Sequence, residues 1–245
     1  MVLPGAVDAV LFDLDDTLVD HRGAAERGLR TWLAGLGLAE DPIGLEEHVD
    51  RWFALEARHY ERSQRGEITH TEQRRARIRA FLPGWDLADD ALADDTFAGF
   101  LACYRSAWRA FSDAADAVRA ARSAGLAVGI LTNGVREIQE SKLRRTGLAA
   151  LGVPVFASSE LPAAKPDSRS YHAACAGLDV EPSRCAMVGD SLVHDVHGAE
   201  RAGLRPIWLD RAGRHDPARH GTPARVRRLA DIDWSRARTR HAETG

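Results

Sequence analysis

From residue 112 onward the chain alternates short apolar runs with stretches of helix length, and this alternation is what most limits its fold. Residues 126–131, 155–157, 185–188 and 206–209 read as buried strands. Helices are predicted over 112–125, 135–145, 168–176 and 195–202, with Ser112 and Ser168 as caps. Strands separated by helices cannot pair as tight hairpins, so they pair in parallel and take helices on both faces. The expected fold class is therefore α/β, a doubly wound parallel sheet whose sites lie at the carboxyl ends of its strands. One further strand, 7–14, stands apart near the N-terminus, and 226–232 offers a last short one.

Between the first strand and its successors the periodicity is helical. Leu29, Trp32 and Leu33 share one face, as do Val49, Trp52, Phe53 and Tyr60. Thr69 and Glu72 have capping-box spacing, and Pro83-Gly84 ends that helix. The expected division is an α/β core of residues 1–20 and 107–245 interrupted by a helical insert, 21–106, acting as a lid hinged near 18–21 and 106–111. The aromatic residues are read as the insert's own core, and Arg75 and Arg79, one turn apart, as paired with acidic neighbours rather than with a substrate anion.

Composition removes several functions. A formal net charge of −3 gives no basic footprint, so neither nucleic acid nor an anionic membrane is an expected partner. The Arg-rich tail from Arg211 onward is read as a solvated edge, and the oligomeric state is not readable. No apolar run has the length of a membrane span, and a cytoplasmic location is expected. Three cysteines without ligand spacing offer neither a disulfide framework nor a zinc site. Lys+Arg total 33, yet the only lysines are Lys142 and Lys165. A lysine kept in such a chain marks a place where arginine does not serve.

Each predicted strand end carries chemistry. The first ends in Asp13-Leu-Asp15-Asp16-Thr17, the second in Thr132-Asn133-Gly134, and the fourth in Gly189-Asp190-Ser191 with Asp195 shortly after. Lys165-Pro166-Asp167 lies between the third strand and its helix. Any one of these is an ordinary turn or cap. Together, in order, at the edge of one sheet, they form an acidic cluster that calls for a cation.

The segments F-D-L-D-D-T-L, I-L-T-N-G, A-K-P-D and V-G-D-S-L-V-H-D resemble, in sequence and order, those of the haloacid dehalogenase (HAD) superfamily, and within it the phosphatases with a helical cap after the first segment. The resemblance implies a Rossmann-like core, a small-molecule phosphate ester as partner and Mg²⁺ as cofactor. It implies Asp13 as nucleophile, Asp15 as acid and base, and Mg²⁺ held by Asp13, the Asp15 carbonyl and Asp190. Thr132 and the Asn133 N–H are implied to hold phosphate, Lys165 to neutralise charge, and Asp195 to orient Lys165 or a metal-bound water. Asp16 is read as a turn residue, Thr17 as a donor to the carboxylates, and His194, where asparagine is common, as an exposed loop residue.

The same resemblance separates reactions. Dehalogenases of the name-giving type lack the second aspartate, which is present here as Asp15. Phosphonate hydrolysis in the family uses a cap lysine, and residues 1–141 contain none. Phosphoglucomutase-like transfer and a silent scaffold role remain as alternatives, the second weakened because no aspartate or lysine of the set is missing.

Overall fold

The structure is a computed structural model that describes residues 6–39, 42–64, 66–214, 216 and 224–234. It divides into two compact units. One comprises the residues up to His21 and from Arg109 onward, and the other is Arg22–Trp108.

The first unit is built on a six-stranded parallel sheet in the order β3-β2-β1-β4-β5-β6. The strands are β1 (Ala9–Phe12), β2 (Ala127–Thr132), β3 (Val155–Ala157), β4 (Cys185–Gly189), β5 (Arg205–Leu209) and β6 (Arg225–Val226). Side chains alternate between two layers. Val10, Phe12, Ile130 and Val188 pack with Ala117 and Val118 of one helix, whereas Ala9, Leu11, Leu131 and Met187 pack with Tyr171 and Ala174 of another. Both faces of the sheet are thus covered, which is why its strands read as unbroken apolar runs. β1 lies between β2 and β4, so the residue that leaves it, Asp13, emerges at the middle of the sheet.

Several elements differ from the sequence reading. The helix after β1's return to this unit starts at Ala114, not at Ser112, because Asp113 takes the cap position; its carboxylate accepts from Arg211 and from the Leu229 N–H. Asp167, not Ser168, caps the helix Ser168–Gly177 by accepting from Arg169 N–H. Expected as one helix, 195–202 is a π-helical turn, Leu192–His197, followed by a short α-helix, Gly198–Arg201. The strand expected over 226–232 shortens to β6, and Leu229–Asp231 is a 3₁₀ turn. Arg211 is not a solvated edge: it pairs with Asp113 and lies 3.8 Å over the Phe111 ring. Much of the tail beyond it lies outside the described residues.

The helical unit contains α1 (His21–Gly35), α2 (Pro42–Gln64), α3 (His70–Phe81) and α4 (Asp90–Ser106), α1 beginning one residue before the unit does. The capping box at Thr69 and Glu72 is formed in both directions. Trp52 is enclosed by Phe100, Phe81 and Phe97 at ring separations of 4.3, 4.9 and 5.9 Å, and Trp32 joins the same cluster. These aromatics are the unit's core; the Tyr60 side chain lies outside what is described. Arg75 pairs with Asp94 and Asp90, and Arg79 with Asp90, so both are spent on α4 and its cap region. Arg77 lies 3.9 Å over the Trp52 ring and pairs with Glu56.

Gly28 lets α1 and α4 touch backbone to backbone. A Cβ there would sit 2.5 Å from the Tyr104 Cα and 2.6 Å from its nitrogen. Glycine to alanine in a helix ordinarily stabilises, by up to about 1 kcal/mol. Here the sign reverses: Gly28→Ala is expected to lose about 2 kcal/mol of stability through overpacking, read as a lower denaturation midpoint. An unchanged or higher midpoint would show that the two helices separate without cost.

Candidate active site

The sheet order places the carboxyl ends of β2, β1 and β4 side by side, so Thr132, Asp13 and Asp190 are neighbours. Lys165 arrives from the loop before the helix Ser168–Gly177. Its Nζ lies 2.7 Å from Asp13 Oδ1 and 2.6 Å from Asp195 Oδ1, and the residue is only 2% exposed. The Asn133 side chain fixes the Lys165 backbone, donating to its carbonyl and accepting from its N–H, both at 2.8 Å. The end of β2 therefore holds the loop that carries the ammonium.

Asp195 has both oxygens engaged, one by Lys165 and the other by the Ser191 N–H at 3.0 Å. Its approach depends on Gly189, where a Cβ would lie 2.2 Å from the Asp195 carboxyl carbon. The Asp190 carboxylate, by contrast, accepts no hydrogen bond among the described residues, its backbone carbonyl alone accepting from Trp208 Nε1 at 2.9 Å, and Asp13 accepts none on Oδ2. Carboxylate oxygens of Asp13, Asp190 and Asp195 all lie within 4.8 Å of one another. Against three carboxylates the cluster sets one ammonium. Burial, opposed by Lys165 and reinforced by Asp195, pushes the Asp13 carboxyl up to about 7. Burial, then Asp13 and Asp195, pushes Asp190 up to about 9. Burial alone would lower the Lys165 ammonium, but its two carboxylates outweigh it and hold it above the ordinary lysine value. An all-oxygen donor set in which the Asp190 carboxylate and one oxygen of Asp13 are unengaged fits a hard divalent cation. Asp195, fully committed, is less available as a ligand than Asp13 and Asp190.

Asp15 belongs to a second group. Lys142 Nζ lies 2.7 and 2.6 Å from its two oxygens, and Gln139 Nε2 is 3.4 Å from Oδ2. Burial opposes ionisation there, yet Lys142, His21 and these hydrogen bonds prevail and hold the carboxyl below its usual range. The two aspartates of the first segment thus stand in opposite electrostatic settings, two residues apart.

A family model of haloacid dehalogenase-like hydrolases matches residues 7–203. The chain belongs to the haloacid dehalogenase-like hydrolase family. Among its relatives is a phosphoserine phosphatase of Thermus thermophilus, 40% identical over 112 residues, a match that spans 46% of this chain and 45% of the relative. A ribulose-1,5-bisphosphate 5-phosphatase of Halopiger xanaduensis is 29% identical over 228 residues, covering 91% of this chain and 93% of its own length. Among solved structures, a magnesium-bound HAD hydrolase of Bacillus subtilis superposes with a TM-score of 0.74 at 22% identity, covering 92% of this chain and 96% of that one, a likeness of fold.

Of the residues singled out from sequence, this HAD hydrolase brings Asp13, Lys165, Asp190 and Asp195 into one cluster and Thr132 and Asn133 to its edge. Asp16 is a turn residue, with φ of 58° and its N–H donated to Val19 O. Thr17 corrects the reading: it is fully buried and its hydroxyl has no partner among the described residues, so it does not serve the carboxylates. His194 is half-buried, not an exposed loop residue; its Nδ1 lies 3.1 Å from Ser191 Oγ, and its carbonyl accepts from the Tyr171 hydroxyl. Lys142 and Gln139 were not legible as site residues, since both fall inside a helix rather than at a strand end. The signal that reaches Lys142 is the scarcity of lysine.

Proposed function

We propose that this HAD hydrolase is a Mg²⁺-dependent phosphatase of small phosphorylated metabolites, of the sugar phosphate or nucleoside monophosphate class, working through an aspartyl-phosphate at Asp13. That it is a phosphoric monoester hydrolase follows from its family and its phosphatase relatives. The observation that carries the finer reading is Asp13 itself: a carboxylate at the centre of the sheet edge, one oxygen on Lys165 and the other unengaged.

In this reading the unengaged Asp13 oxygen attacks phosphorus, and the bond from phosphorus to the ester oxygen breaks. Asp15 takes up a proton from solvent, against the Lys142 ammonium that favours its ionised form, and gives it to the departing oxygen. Water then attacks the phosphoryl group and gives a proton to Asp15 as the bond from phosphorus to the Asp13 oxygen breaks, releasing phosphate and restoring Asp13. Lys165, Thr132 and the Asn133 N–H hold the phosphoryl oxygens and the charge they gather. Mg²⁺, held by Asp13, Asp190 and the Asp15 carbonyl, would supply charge neutralisation between anionic nucleophile and anionic substrate. Asp195 keeps Lys165 in place. The helical unit as a cap, and a cytoplasmic location, belong to the same proposal; no helix among the described residues is long and apolar enough to cross a membrane.

The test is phosphate release from sugar phosphates, nucleoside monophosphates and amino-acid phosphates with and without Mg²⁺. The expected result is release that needs the metal and favours one of the first two classes. Release independent of any divalent cation, or none from any ester by folded protein, would overturn the proposal.

A further inference from the structure

Two buried polar side chains that touch Asp15 and Thr132 have no part in the proposed reaction. Gln139 and Lys142 lie three residues apart on the helix Arg136–Arg145, hence on one face, and are 2% and 4% exposed. That face meets Asp15 and the end of β2. Lys142 Nζ straddles both oxygens of Asp15 at 2.7 and 2.6 Å. Gln139 Nε2 donates to Thr132 Oγ1 at 2.8 Å and to the Asn133 carbonyl at 2.9 Å, and is nearest Asp15 Oδ2 at 3.4 Å. Its amide orientation is dictated by those surroundings: a carbonyl and a carboxylate accept only, so the nitrogen must face them. A hydroxyl that already accepts from Gln139 turns its own proton elsewhere. The remaining contact of Thr132 Oγ1, to the Asn133 carbonyl, is 3.5 Å and too long to hold that proton.

We propose that Lys142 and Gln139 are positioning residues: Lys142 aims the Asp15 carboxyl at the ester's leaving oxygen, and Gln139 aims the Thr132 hydroxyl proton at the phosphoryl group. The proposal rests on the reading of Asp15 and Thr132 given above. It also accounts for the retention of lysine: both lysines of the chain stand beside an aspartate of the first segment, Lys165 at Asp13 and Lys142 at Asp15. A compact ammonium on a flexible stem can sit astride one carboxylate inside the protein, where a planar fork needs more room.

The test compares an ester whose leaving group needs a proton with one whose leaving group does not. Ribose 5-phosphate expels an alkoxide and 4-nitrophenyl phosphate a stable phenolate, and kcat/KM reports the step that forms the phospho-enzyme. Loss of the ammonium also makes Asp15 easier to protonate, but the loss of aim is expected to outweigh it: for Lys142→Met, kcat/KM on ribose 5-phosphate falls on the order of 100-fold, and on 4-nitrophenyl phosphate several-fold at most. Lys142→Arg, which can still pair with the carboxylate, is expected to recover part of that loss. Gln139→Met is expected to weaken inhibition by inorganic phosphate with both esters alike. Circular dichroism confirms folding, and should Lys142→Met not fold, Lys142→Arg and Gln139→Met carry the comparison. Equal losses on the two esters, or no loss on ribose 5-phosphate, would overturn the role of Lys142; unchanged phosphate inhibition would overturn that of Gln139. Asp15→Asn separates the two levels. If it shows no preference between the esters, the reading of Asp15 itself fails; if it shows the preference and Lys142→Met does not, only the positioning role fails.

Discussion

Asp13→Asn is expected to abolish phosphate release, with kcat/KM lower by on the order of 10⁴-fold or more, the scale on which loss of a covalent nucleophile acts. The amide matches the carboxylate in shape, so the loss is chemical rather than steric. Lys165 keeps its second partner, Asp195, at 2.6 Å, and the loop that carries it stays clamped by Asn133. The fold should therefore persist. Removing a carboxylate whose ionisation burial already opposes costs the metal-free protein little. Acid quench of the parent during turnover should trap a phosphoryl group on the peptide containing Asp13, and the variant should trap none. A phosphorylated peptide elsewhere, or a variant within tenfold of the parent, would remove Asp13 from the mechanism.

Asp190→Asn should act in two opposite directions. Burial and the neighbouring Asp13 and Asp195 raise the Asp190 carboxyl from 3.8 to about 9. The folded protein therefore binds a proton that the unfolded chain releases, and metal-free stability declines as pH rises from about 4 towards 9. An amide has no such charge to accommodate. At pH 8 without metal, the variant is expected to be more stable by about 1–2 kcal/mol, a rise in Tm of roughly 2–8 °C, with a flatter dependence on pH across that window. Mg²⁺ should raise the parent's Tm and leave the variant's nearly unchanged. Activity should fall on the order of 100-fold or more through loss of a charged donor to the cation. Thermal melts at several pH values, with and without Mg²⁺, read both effects. A variant less stable than the parent at pH 8 would mean that Asp190 is satisfied by the protein alone.

The parts of this molecule that a reader of the sequence can recover are those where one physical signal dominates. β3 is bounded as expected, and Thr69 with Glu72 caps α3 as their spacing requires. Asp13, Thr132, Lys165 and Asp190 are legible because a parallel sheet sends its strand ends to one edge. Where two signals compete, the reading slips. Ser112 and Asp113 are both good cap residues by type; Asp113 holds the cap position, yet its carboxylate is engaged by the distant Arg211 and Leu229 rather than by the helix. Residues 195–202 read as one helix, whereas the turn over Leu192–His197 is π-helical and carries Asp195 against Gly189 and onto Lys165. Gln139, and the partner for which Lys142 is kept, escape notice for a related reason. Their partner Asp15 lies more than a hundred positions away in the chain, and only the completed fold brings them together.

The burial of both lysines has a practical side. An amine-reactive reagent added to the native protein meets no lysine ammonium at the surface, since the two that exist are 4% and 2% exposed. Apart from the α-amino group, acylation should await an opening of the structure around Asp13 or Asp15. The rate at which Lys142 and Lys165 take up label, resolved by peptide mass, then becomes a clock for local unfolding of the site, separate for its two halves and readable without any substrate.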